Sequence, residues 1–130
     1  MATDAIAIAG TALTVHRKWL DAISDNIANV NTVRATNEQA FQARYIIAKA
    51  GEGTTGVYVE AAAESKSEGR LVYEPNHPLA DAEGYVRYPD IDLGQQMGNL
   101  IMAQRGYEAN AAVVDRAKST YEAAIQIGKS

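Results

Sequence analysis

The stretch Ile8–Thr32, IAGTALTVHRKWLDAISDNIANVNT, decides how the chain is to be read. Residues 5 to 30 hold no proline and one glycine, and Ile6, Leu13, Leu20 and Ile27 stand seven apart. Ala9, Ile23 and Val30 each follow a member of that row by three residues. This is the a and d spacing of a helix with a narrow apolar seam, interrupted by His16. The end of the stretch, SDNIANVNT, sets Asn26, Asn29 and Asn31 among Ile23, Ile27 and Val30. Asparagine disfavours helix interiors because its side chain competes for nearby backbone hydrogen bonds. The plainest reading makes all three a frayed helix cap; the other divides them between two roles. Asn26 and Asn29 stand beside the seam, where an amide can bond backbone or a neighbouring subunit and fix register. Asn31 and Thr32 suit a helix terminus, where Asn tolerates the left-handed conformation.

A second seamed helix is expected from Ile91 to about Ile127. Leu93, Leu100, Tyr107, Val114 and Tyr121 stand seven apart, with Met97, Ala111 and Ile125 four residues after members of the row. Gln104 and Lys118 interrupt the second row, as expected of a helix that packs on one partner. Gly94, Gly98 and Gly106 each weaken the helix by about 1 kcal/mol relative to alanine. Gly94 to Gly98 also has the small-xxx-small spacing that permits close helix approach.

Between the helices lie all three prolines and five of the ten glycines. FQARYIIAKAG, GVYVEAAAES, GRLVYEP and GYVRYPDI mix β-branched and aromatic residues with turn residues, the pattern of hairpin strands. EPNHPLADAEG reads as an extended turn. The fold class is therefore α+β: long N- and C-terminal helices pairing as a coiled coil, with a small antiparallel β region between them. The expected domains are 1–32 and 91–130 for the helices and 33–90 for the β region. About 25 residues of helix give a rod about 38 Å long, too slender to hold a core of its own, and faces with Ala5, Ala12, Trp19 and Ala28 need partners.

At 130 residues and a formal charge of −4, the chain has room for one domain with a core. Residues 1–32 carry two basic and three acidic side chains, 33–90 six and nine, and 91–130 four and four. No segment is basic enough for nucleic acid. The absence of cysteine excludes disulfides and thiolate sites. No segment approaches the roughly 20 apolar residues of a membrane span, and the N-terminus has no basic region of a cleaved signal. His16 and His77 lie in different elements without ligands at metal spacing, so no metal and no cofactor is expected. Glu60, Glu64 and Glu68 run i, i+4, i+8, as a helical turn or as solvated loop charge. Gly51–Gly56, GEGTTG, lacks the strand, lysine and helix of a phosphate loop and is a flexible turn.

Three blocks carry a family resemblance. Ile8–Thr32 resembles the N-terminal signature of bacterial flagellar rod and hook proteins, where a seamed helix ends in Asn-Ile-Ala-Asn-x-Asn-Thr, here Asn26–Thr32. Leu71–Asp92, LVYEPNHPLADAEGYVRYPDID, narrows the resemblance to proximal rod proteins. Ala103–Lys129 resembles the family's closing helix with its Arg-x-Tyr-Glu-Ala-Asn segment, Arg105–Asn110. The blocks cover about seventy residues. The chain lacks the Pro-Gly-Tyr that often follows the Asn-Thr pair in this family.

The resemblance implies a structural subunit of the flagellar basal body, exported by the flagellum's own type III apparatus and polymerised into the rod that passes torque from motor to hook. It implies that the terminal helices form the inner core of the tube and the β region sits outside. Partners would be other copies, other rod proteins, the export apparatus and basal-body ring components, with no nucleic acid and no membrane insertion. The expected assembly interface is Ile6, Leu13, Leu20, Ile23, Asn26, Ile27, Asn29 and Val30 against Leu100, Tyr107, Asn110, Val114, Tyr121 and Ile125. No enzyme constellation is found. The rival readings are a monomeric helix-plus-sheet module that binds a peptide or carbohydrate, and a small hydrolase using Asp81, Glu83 or Glu74.

Overall fold

The computed structural model describes residues 2–129. Helix α1 runs Ala2–Ala28 and helix α2 runs Leu93–Lys129. Four strands lie between them: β1 (Arg44–Ala50), β2 (Val57–Glu64), β3 (Arg70–Tyr73) and β4 (Tyr85–Tyr88). Each falls in one of the four stretches expected to be a strand. They form two separate two-stranded sheets, β1 with β2 and β3 with β4, rather than one sheet of hairpins. Glu60 and Glu64 belong to β2 and Glu68 to the turn after it, so their fourfold spacing marks solvated charge and not a helical turn.

The chain divides into two compact units, and neither is purely helix or purely strand. Unit 1 comprises residues 1–20, 46–61 and 101–130; unit 2 comprises 21–45 and 62–100. Each therefore contains part of both helices together with a hairpin.

In unit 1 the β1–β2 hairpin closes with the Gly51 amide donating to the Gly56 carbonyl at 2.6 Å. Gly56 has φ 89°, and a Cβ there would overlap Thr11, so only glycine lets the turn reach α1. Thr11 Oγ1 accepts from the Val57 amide at 3.0 Å and donates to the Ile8 carbonyl at 2.6 Å, which fastens the hairpin to α1.

In unit 2 the β3–β4 register pairs Arg70 with Tyr88, Leu71 with Arg87, Val72 with Val86 and Tyr73 with Tyr85. Val86 is wholly buried and Val72 half-buried, so their neighbours Leu71, Tyr73 and Tyr85 face outward. Residues after Thr32 have no regular structure, yet their path is fixed. Arg34 forms an antiparallel bridge with Arg87, and the Arg87 guanidinium donates to the carbonyls of Thr36 and Glu68.

The long β3–β4 loop is ordered by Asp81. Its carboxylate accepts from the amides of Glu83 and Tyr85, both at 2.9 Å, and from Thr36 Oγ1 at 3.0 Å. The Tyr85 amide, foremost among these donors, holds the Asp81 carboxyl below its ordinary pKa.

Candidate assembly interface

The terminal helices meet within each unit through residues unlike those the apolar rows suggest. In unit 1 the His16 imidazole lies over Gly106, where any Cβ would overlap it. His16 Nδ1 also bonds the Ala12 carbonyl at 2.8 Å, which holds the ring in place. The interruption in one seam and the glycine in the other are thus a matched pair.

In unit 2 the meeting point is polar. Asn26 is 0% exposed, and its amide pairs with the backbone of Arg44 as a neighbouring strand would. Oδ1 accepts from the Arg44 amide at 2.9 Å, and Nδ2 donates to the Arg44 carbonyl at 2.9 Å. Nδ2 also donates to Gln96 Oε1 at 3.1 Å, and Gln96 is itself 1% exposed. One side chain therefore ties the end of α1 to the start of β1 and to the start of α2. Of the two partners open to Asn26, the structure gives it the backbone of its own chain.

Asn29 plays the local part. Its Nδ2 donates to the Asp25 carbonyl at 2.8 Å, which also accepts the Asn29 amide, and its Oδ1 accepts from Thr32 Oγ1 at 3.0 Å, which ties the residues after the helix to its last turn. Asn31 does not take the left-handed conformation expected of it, since no described residue other than glycine has positive φ. The carbonyls near the helix end are already occupied by the amide and side chain of Asn29, so a left-handed cap has no remaining work.

Of the other expected interface residues, Ile23 is buried, and Ile6, Leu13, Leu20, Ile27, Val30, Leu100, Asn110 and Val114 are half-buried. Tyr107, Tyr121 and Ile125 are exposed. On α1 the covered face includes Ala9, Val15, Ala22 and Asn26 as well as Ile23, which is broader than a narrow seam. The reason is that α1 has two kinds of neighbour: α2 at His16 and Asn26, and strands at Thr11 and Asn26. On α2 the covered row runs Gln96, Ala103, Asn110 and Ala117, with Ala103 0% exposed. Gly106 leaves room for His16, Gln96 is a large, fully buried side chain held by Asn26, and the large apolar residues Leu93, Met97 and Tyr107 are exposed. Gln96 went unnoticed in the sequence because it is polar; its place seven residues before Ala103 is the signal that it shares the covered row.

Two of the three carboxylates considered for catalysis are hydrogen-bonded within their own unit. Asp81 orders its loop, and Glu74 accepts from Tyr88 Oη at 2.8 Å, a bond that, foremost with added burial, raises the phenol's pKa. His77 Nδ1 accepts from the Leu79 amide within its turn. No group of three or more metal-ligating side chains occurs among the described residues, and no helix is long and apolar enough to cross a membrane.

Two long helices around small hairpins, joined by an asparagine in an Asn-Ile-Ala-Asn-x-Asn-Thr run, define an axial protein of the flagellar rod class. Family models agree at both ends: residues 6–36 match the flagella basal body rod protein model, and 82–127 match the C-terminal model of flagellar basal body rod FlgEFG proteins. The chain is 37% identical over 126 residues to the flagellar basal-body rod protein FlgC of Salmonella typhimurium, covering 94% of each chain. It is 34% identical to FlgC of Borreliella burgdorferi over 144 residues, and 32% identical to FlgC of Bacillus subtilis over 142, with similar coverage. The chain belongs to the FlgC family of flagellar basal-body rod proteins, and it is a structural subunit of that rod.

Proposed function

We propose that this subunit polymerises through its terminal helices into the helical drive shaft that carries torque from motor to hook. The observation that carries the proposal is the far end of α2. The helix has 37 residues against 27 in α1, and every residue from 118 to 129 is exposed. Tyr121 and Ile125, one helical turn apart, are 43% and 39% exposed, an apolar stripe left uncovered by the described residues of the chain. A neighbouring subunit supplies the missing cover. The contact is head-to-tail and therefore open-ended.

The half-buried members of the interface, Leu13, Leu20, Val30 and Val114 among them, then face both their own chain and the next copy. Passage through the type III export apparatus, location across the periplasm, contact with ring components and the absence of catalysis belong to the same proposal. The experiment replaces Tyr121 and Ile125 together with aspartate. The expected result is a monomer with unchanged circular dichroism that no longer enters purified basal bodies or restores swimming. Wild-type motility with this double variant would refute the assembly role of the stripe.

A further inference from the structure

The two units differ in charge. Unit 2 carries ten acidic and five basic side chains, net −5, and unit 1 carries six and seven, net +1, together the chain's −4. On unit 1, two depressions meet at Thr14 of α1. One, of about 280 Å³, is lined by Gly10, Leu13, Thr14, Arg17 and Tyr107. The other, of about 190 Å³, is lined by Thr11, Thr14, Lys18, Val57, Tyr58 and Val59. Each has apolar walls and one cation, and neither Arg17 nor Lys18 forms a salt bridge among the described residues.

Unit 2 carries the opposite net charge and an exposed apolar face. On the outer face of the β3–β4 hairpin, Tyr73 is 62% exposed and meets Tyr85 edge-on with ring centroids 5.4 Å apart, with Leu71 beside them. Exposed Glu83 lies two residues before Tyr85 and forms no salt bridge among the described residues. The face thus carries an apolar ridge with Glu83 at one edge and, opposite Leu71, Arg87, whose guanidinium is held by the carbonyls of Thr36 and Glu68.

We propose that the outer face of the β3–β4 hairpin of one copy seats on the paired depressions of α1 in the next copy. Leu71 and Tyr73 enter the apolar depressions, and Glu83 meets Arg17 and Lys18. Donor and acceptor are different surfaces of the same chain, so each copy offers one of each and the contact propagates. It is a second contact, which shares Leu13 and Tyr107 with the edge of the helical seam, and it rests on the rod reading. A head-to-tail contact with an ionic edge sets orientation and register, because a reversed copy would bring like charges together.

The test uses the purified full chain in the analytical ultracentrifuge. Wild type is expected to associate at about 50 mM salt and to dissociate at about 500 mM, where screening shortens the Debye length well below 10 Å. Arg17→Glu and Glu83→Arg are each expected to stay monomeric alone at low salt, with unchanged circular dichroism. Mixed, they should form a heterodimer, since the intact hairpin of the first meets the intact depressions of the second. Arg17→Lys should associate as wild type does. A monomeric wild type at low salt, association of either charge variant alone, or no heterodimer on mixing would overturn the inference. Failure of the rod reading is a separate result: the wild-type chain would be missing from purified basal bodies, whatever the ultracentrifuge shows.

Discussion

Replacing Asn26 with alanine strips three groups of their partner at once: the Arg44 amide, the Arg44 carbonyl and Gln96 Oε1. A buried polar group left unpaired costs about 1 to 3 kcal/mol. The Gln96 contact is fully buried and takes the upper part of that range, whereas the Arg44 groups are partly buried and water can reach them. The sum is about 3 to 5 kcal/mol, against roughly 5 to 15 kcal/mol for the whole stability of a typical domain. Asn26→Ala should therefore remove a large share of the monomer's stability, whether or not it assembles. Urea denaturation followed by circular dichroism gives the free energy, and amide exchange at Arg44 reports the broken bond directly. Asn29→Ala is the control. Its bonds are local and solvent-accessible, and its cost should be no more than about 1 kcal/mol. A loss below about 1 kcal/mol for Asn26→Ala, with Arg44 still protected, would refute the reasoning that this amide joins three elements.

Two further outcomes follow from the geometry. Gly98→Ala should stabilise the monomer by up to about 1 kcal/mol, since a Cβ there meets nothing and alanine favours helix. Gly106→Ala should destabilise it despite the same propensity gain, because the added carbon displaces His16; thermal melts of the two variants moving in the same direction would contradict this. The third concerns acid. Asp81 has a lowered pKa in the folded chain, so its contribution to stability is present above its unfolded pKa and is lost as pH falls through the folded value. Amide exchange at Glu83 and Tyr85, compared with unstructured reference rates, should lose protection in wild type only as pH falls below the ordinary aspartate range. It should show no such acid step in Asp81→Asn.

Much of this molecule is legible in one dimension because its elements obey short periods. Helices were readable from sevenfold and threefold spacing, and strands from β-branched and aromatic runs bounded by glycine, since both patterns reflect local backbone geometry. The Asn-Ile-Ala-Asn-x-Asn-Thr run also marked the functional class before any coordinates. Orientation within the helices was harder. Rows of large apolar residues point to Leu93, Tyr107 and Tyr121, while the covered side of α2 carries Gln96 and Ala103, and Gly106 lies under His16. Hydrophobicity records how much a side chain gains from burial, but a covered position can also be held by a polar side chain with a partner, as Gln96 is, or by a residue without a Cβ under a close neighbour, as Gly106 is.

What the sequence by itself determined is therefore the order and type of the elements, the α+β class and membership of a rod family. Only the tertiary structure decided what the asparagines do. Asn26, open in the sequence to backbone or to a neighbour, joins three elements of its own subunit, and Asn29 closes the helix beside it. An amide has donors and an acceptor that backbone, side chain or another copy can satisfy equally well, and its spacing is the same in each case. The choice is made by which partners the fold brings within about 3 Å, and for Asn26 those are Arg44, 18 residues away, and Gln96, 70 residues away.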